Sequence, residues 1–157
     1  MDEIILQSGK LLNILEITEQ DIDIYDICYS LSNIARFSGQ VPFYSVARHS
    51  IYVSQILPHE LKLSGLLHDA SEAYIGDVVS PIKHKMKEYL ELEKNIMTKV
   101  SKKWNLDINN PLVKRADMEA LVYEKNILFF KKEYRIENQK EIMDKFMSIY
   151  VFLLQEN

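Results

Sequence analysis

The sequence is poor in the residues that build closed sheets, disulfide frameworks and phosphate loops. Four glycines and four prolines in 157 residues leave little punctuation for a many-stranded fold or a Gly-rich phosphate loop, and there is no Walker-type lysine loop. The one cysteine, Cys28, cannot form an internal disulfide, which argues for a reducing compartment. It stands among apolar neighbours with no adjacent histidine, so its ordinary reading is a buried structural thiol. No apolar run approaches the roughly 18 residues that a bilayer span requires. The opening Met1-Asp2-Glu3 lacks the positive region of a signal peptide. Nor is there an excess of positive charge: 19 Lys and Arg against 23 Asp and Glu give a formal charge of −4, which argues against a broad nucleic-acid-binding surface. The expectation is a cytoplasmic domain that meets neither a membrane nor a nucleic-acid polymer.

What is present is helical periodicity. A chain of this length, 47% hydrophobic and 27% charged, can close one substantial core. Without an internal repeat, low-complexity tract or linker it reads as a single domain over 1–157. Ile4-Ile5-Leu6 and Leu11 to Leu15, on either side of Ser8-Gly9-Lys10, suggest a short hairpin. Ile24, Ile27, Cys28, Leu31, Ile34 and Ala35 recur at helical spacing and predict a helix from about Asp21 to Arg36. Further helices are predicted from about Ser45 to before Pro58, from Pro58 towards Tyr74, from Lys83 to Trp104 and from Asn110-Pro111 to about Lys132. Ile142, Phe146, Ile149, Tyr150 and Leu153 mark a last one. Gly76 to Pro81 reads as a loop. The sum is an all-α bundle of about six helices with a short N-terminal β-hairpin.

Several titratable residues sit on faces that otherwise point inward. His49 lies in the stripe of Val46, Val53 and Ile56; His68 follows Leu66-Leu67; Asp117 shares a face with Val113, Ala116, Ala120 and Leu121. One such histidine alone is usually a hydrogen-bonded core residue, and Asp117 has Lys114 and Arg115 as ordinary ion-pair partners. A buried carboxylate without a partner costs several kcal/mol. Two imidazoles with Asp117 and Asp69, adjacent to His68, satisfy one another if they surround a divalent cation.

The array His49, His68-Asp69, Asp117 resembles the metal-binding signature of the HD-domain phosphohydrolases, an all-α family. The segments Leu31 to Ser50 (LSNIARFSGQVPFYSVARHS) and His68 to Lys83 (HDASEAYIGDVVSPIK) are similar to the corresponding parts of the YfbR-like deoxynucleotide phosphohydrolases. That branch includes bacterial 5′-deoxynucleotidases and compact phage enzymes that hydrolyse dATP. The similarity covers roughly residues 20 to 125. It implies a metal-dependent hydrolysis of deoxynucleotide phosphates, dAMP and dATP first, as a 5′-nucleotidase, a triphosphohydrolase or both. It also implies self-association as a dimer or larger assembly.

The chemistry fits these residue types. A cation held by His49, His68, Asp69 and Asp117 activates a water and polarises a phosphoryl oxygen. This mixed nitrogen and oxygen set suits Mn, Co, Fe, Ni or Zn better than Mg, although Mg could arrive with the substrate phosphates. Glu72 falls on the same side as His68 and Asp69 if the helix continues, and the resemblance places it beside the metal water, as general base or water-positioning group. For Asp77 the resemblance implies either protonation of the leaving oxygen or binding of the 3′-hydroxyl. Arg36 closes an apolar helix and offers a bidentate fork for phosphate. Lys83 is the second candidate cation and Lys114 a weaker third. Phe37, where relatives often carry tryptophan, could crowd a ribose 2′-hydroxyl and favour deoxyribose. Only His59 and His84 remain outside the ligand set; because dinuclear HD enzymes use further histidines between the His-Asp pair and the last Asp, where His84 alone is available, the resemblance implies one tightly held metal. Two other readings stay open: a phosphodiesterase acting on a cyclic nucleotide or short oligonucleotide, and a nucleotide-binding module without turnover.

Overall fold

Strands Glu3–Ile5 (β1) and Leu11–Asn13 (β2) pair antiparallel, Ile4 opposite Leu12, and form the expected hairpin. The structure is a computed structural model that describes residues 3–156. Met1 and Asp2, two of the three opening residues on which the signal-peptide expectation rests, lie outside the described residues, as does Asn157. The rest is helical: Ile24–Asn33 (α1), Val46–Gln55 (α2), Lys62–Leu66 (α3), Glu72–Ile75 (α4), Ser80–Lys83 (α5), Lys87–Trp104 (α6), Pro111–Lys125 (α7) and Gln139–Gln155 (α8). Among the described residues no helix is long and apolar enough to cross a membrane.

Side chains start these helices where backbone amides lack intrahelical acceptors. Asp23 accepts from the Tyr25 and Asp26 amides at α1, Ser45 from Arg48 at α2, and Asn110 from Leu112 ahead of Pro111 at α7. Asn138 and Glu141 form a reciprocal capping box at α8.

Two predicted helices are divided. The one expected from Pro58 towards Tyr74 is α3 and α4 with a turn between them. Leu67 leaves helical geometry (φ −109°, ψ 8°), and the His68 imidazole takes the Gly65 carbonyl at 2.7 Å, an acceptor that a continuing helix would give to the Asp69 amide. The one expected from Lys83 begins only at Lys87. Lys83 belongs to the separate short α5, where Pro81 occupies the first turn. The stripe towards Lys132 is α helical to Lys125 and then passes into a π turn over Asn126–Phe130. Such turns occur mostly as single insertions in helices, often at functional sites.

Ile27, Cys28 and Leu31 of α1, Val46, Ala47 and Ile51 of α2, Leu66, Ile96 and Val100, and Ile142, Phe146 and Leu153 of α8 make the main core. Burial pushes the Cys28 thiol up to about 11, which keeps it protonated and inert at neutral pH. A second cluster of Val53, Leu57, Leu61, Val113, Ala116 and Ala120 locks α7 onto α2. Stacking of Tyr52 on Tyr123, with centroids 4.6 Å apart and planes within 2°, extends that contact to the surface. This packing fixes Asp117 against His49.

Gly65 lets α3 approach α2. A Cβ there would lie 2.4 Å from Leu57 Cδ1 and 3.2 Å from the Ser54 backbone. The leucine tip can turn aside, but the backbone must shift. Gly65→Ala is therefore expected to destabilise the fold by about 1–3 kcal/mol, the usual scale of overpacking, read as a lower denaturant midpoint with unchanged slope.

Candidate metal centre and active site

Four side chains from α2, the turn after α3, and α7 converge. His49 is fully buried on α2. Its Nε2 lies 3.3 Å from His68 Nε2, 3.0 Å from Asp117 Oδ1 and 3.6 Å from Asp69 Oδ2. His68 Nε2 lies 3.1 Å from Asp69 Oδ2 and 3.7 Å from Asp117 Oδ1. The far nitrogens decide what these atoms can do. His68 Nδ1 faces the Gly65 carbonyl, which only accepts, so that nitrogen carries a hydrogen. His49 Nδ1 is 2.6 Å from Glu124 Oε1, a carboxylate also paired with Arg36, and donates likewise. In the neutral tautomers both Nε2 lone pairs then face each other and two carboxylates.

A cluster of acceptors this tight fits a shared cation, and one donor atom each from His49, His68 and Asp117 lies within 4.8 Å of the others. Without an ion, protons must serve. Burial opposes a charge on His68, but Asp69 and Asp117 outweigh it and hold the imidazole well above its ordinary value. Burial likewise raises Asp69 and Asp117, and the facing histidines more than reverse it, holding both carboxyls below the usual range.

Around this centre lie the other expected residues. Glu72, at the start of α4, is buried. Its Oε1 is 3.8 Å from Lys83 Nζ, and its Oε2 is buried without a hydrogen-bond partner among the described residues. Burial first, then the charges of Asp69 and Asp77, push this carboxyl up to about 10 in the ion-free protein. Glu72 thus holds a proton at neutral pH until a cation offsets the nearby negative charge. Asp77 follows Gly76, whose φ of 79° suits glycine, and burial raises its carboxyl too. Lys83 reaches the site already engaged, 2.6 Å from Glu93 Oε1.

Arg36 and Phe37 arrive on a strained loop. The Ala35–Ser45 bridge and the Arg36 amide to the Tyr44 carbonyl (2.9 Å) pinch its base. Phe37, Ser38 and Gly39 all have positive φ (56°, 51° and 72°), a conformation that costs a phenylalanine on the order of 1–3 kcal/mol. Contacts hold it: the Phe37 ring meets Phe129 of the π turn edge-on at 5.3 Å and lies 5.3 Å from the Arg36 guanidinium carbon. Arg36 Nε is buried without a hydrogen-bond partner among the described residues, so a donor remains for a ligand.

Two cavities meet at Asp69, Lys83 and Asp117. One of about 440 Å³ is lined by Arg36, Phe37, Glu72, Asp77 and Leu121; the other, of about 590 Å³, by Lys94, Lys114 and Asn109 against α6. Glu124 went unnoticed in the motif reading, although its signal was present. The buried positions 113, 116 and 120 of α7 continue to 124 at helical spacing.

A helical bundle that brings two histidines and two aspartates together in this way defines an HD-domain protein. The family model of the YfbR-like 5′-deoxynucleotidases matches residues 27–145, and the chain belongs to that family. It is similar to the uncharacterized protein YfdR of Escherichia coli (strain K12), 40% identical over 123 residues that cover 77% of this chain and 69% of that protein. It is also similar to an uncharacterized protein of Rhodobacter capsulatus, 36% identical over 69% of this chain and 62% of that protein. The family implies a metal-dependent phosphohydrolase acting on deoxynucleotides.

Proposed function

We propose that this chain hydrolyses the 5′-phosphate or phosphoanhydride of deoxynucleotides, dAMP and dATP foremost. His49, His68, Asp69 and Asp117 would hold one divalent transition metal (Mn, Co, Fe, Ni or Zn), with a Mg ion entering on the substrate where the phosphate chain brings one. The convergence of two Nε2 atoms and two carboxylates beside an unsatisfied arginine donor carries the reading. Such an ion supplies a water that is nucleophilic at neutral pH and Lewis acidity towards a phosphoryl oxygen.

The protein groups do the rest. Arg36 grips the phosphate with donors that Glu124 leaves free. Glu72 accepts a proton of the attacking water, or orients that water, from a buried position where solvent does not compete. Asp77 protonates the leaving oxygen or holds the 3′-hydroxyl. Phe37, fixed against Phe129, presents an apolar wall on which a 2′-hydroxyl would lose its hydrogen bonds. Lys83, charged and paired with Glu93, balances the acidic centre. The second cavity, with Lys94 and Lys114, gives room and positive charge for phosphates beyond the one attacked, which supports turnover of triphosphates alongside monophosphates. Exposed Met118, Val122 and Phe130 along α7 and its π turn support self-association.

The test is phosphate and triphosphate release from dAMP, dATP and their ribose counterparts with Mn or Co present. Turnover of the deoxy substrates with poorer ribose turnover is expected; no turnover of any nucleotide under several metals overturns the proposal. Within it, Arg36→Ala is expected to raise KM for the nucleotide by about 10–100-fold, the scale of a lost charged hydrogen bond of roughly 1.5–3 kcal/mol. Unchanged KM and kcat would remove Arg36 from the site.

A further inference from the structure

Glu124 is a fully buried carboxylate that lies outside the converging donor set. It stands on α7 two turns beyond Asp117. Its Oε1 accepts from His49 Nδ1 at 2.6 Å and its Oε2 pairs with Arg36 at 2.9 Å. A carboxylate withdrawn from water is costly unless charged partners offset it; here Oε1 has the His49 hydrogen bond from α2, and Oε2 has Arg36, from the loop after α1, as an ion-pair neighbour without hydrogen-bond alignment. A purely structural ion pair would need neither of them to face the centre. Yet the opposite nitrogen of His49 points into the cluster, and the unsatisfied Nε of Arg36 belongs to the same guanidinium.

We infer that Glu124 is a positioning residue that sets His49 and Arg36 together, so that one buried carboxylate aligns the ion-binding imidazole with the phosphate-gripping guanidinium. The inference rests on the reading of His49 as a metal ligand. By accepting the Nδ1 hydrogen, Glu124 fixes the tautomer that leaves the Nε2 lone pair on the centre. By its charge 2.9 Å from one arm of the planar guanidinium, it draws Arg36 to the same side as His49. α7 therefore carries both a direct donor, Asp117, and the support for a donor on another helix.

In Glu124→Gln the amide oxygen can still accept from His49, but the amide nitrogen then meets a guanidinium that has nothing to accept its hydrogens. Calorimetric titration of the folded variant with Mn²⁺ is expected to show affinity weakened by roughly 10–100-fold, the range found for outer-shell partners of ligating histidines, together with a higher nucleotide KM. A structural role alone would lower the denaturant midpoint and leave the Mn²⁺ affinity of folded protein at the wild-type value; that result overturns the inference. If the wild type takes up no Mn²⁺, the metal-centre reading itself fails and the inference with it. A second measurement needs no variant. In the Zn²⁺-loaded wild type, the ¹⁵N-resolved His49 ring is expected to carry its hydrogen on Nδ1, slow to exchange and shifted far downfield by the short bond to Glu124. A hydrogen on Nε2, or a freely exchanging one, contradicts it.

Discussion

His68→Ala or Asp117→Ala is expected to abolish ion retention and hydrolysis together. Each removes a donor atom that lies 3.0–3.7 Å from facing donors of the centre, so the loss of affinity should exceed the roughly 100-fold upper range for outer-shell partners. Metal analysis of purified, folded variant is the check, and wild-type occupancy would contradict the assignment. Protons and cation compete for the same atoms. In the ion-free protein Asp69 and Asp117 keep His68 protonated well above the ordinary imidazole range, so metal uptake at neutral pH should release protons and the apparent affinity should rise with pH. Asp117 stands apart in one respect. Its side chain is 46% exposed whereas His49 is fully buried, so Asp117→Ala should leave the core intact, and the variant separates loss of the ion from loss of the fold.

Glu72→Ala is expected to retain the ion and nearly normal KM while kcat falls by about 10²–10⁴, the usual contribution of a positioned acid or base. Glu72→Gln, which keeps the shape but cannot move a proton, should fall nearly as far; a glutamine enzyme with wild-type kcat would reduce Glu72 to a spacer. The same carboxyl gives a stability signature. Burial and the charges of Asp69 and Asp77 push it up to about 10 in the folded, ion-free protein against an ordinary 4.5, so the folded state binds more protons than the unfolded state between those values, and stability falls as pH rises through that window. His68, also raised, acts with the same sign. Ion-free protein should therefore be less stable at about pH 9 than at about pH 6, and Glu72→Gln should flatten the slope.

The periodic stripes of Ile24 to Leu31, Ile96 to Val100 and Ile142 to Leu153 were legible because apolar side chains recurring every three to four residues report burial directly. The hairpin was legible from two apolar runs around Ser8-Gly9-Lys10. The break between α3 and α4 was not, because it turns on a side-chain hydrogen bond from His68 to the Gly65 carbonyl that residue pattern does not encode. The result still places Glu72 at the centre, by a turn and not by one continuous helix. Glu124 shares the inward stripe of Val113, Ala116 and Ala120, but residue pattern does not encode the partners that offset its charge there, since Arg36 reaches it from a loop far off in sequence. Lys83 was legible as a cation at the site, whereas its engagement by Glu93 depends on how α5 turns back on α6. The positive φ of Phe37 and Ser38 had no signal beyond Gly39 nearby.

The most direct test of the account is an anomalous difference map from crystals grown with Mn²⁺. One peak is expected, within about 2.0–2.3 Å of His49 Nε2, His68 Nε2 and a carboxylate oxygen each of Asp69 and Asp117, with Arg36 and Glu72 facing it. A peak bound elsewhere, or none at saturating Mn²⁺ with the four side chains in place, would contradict it.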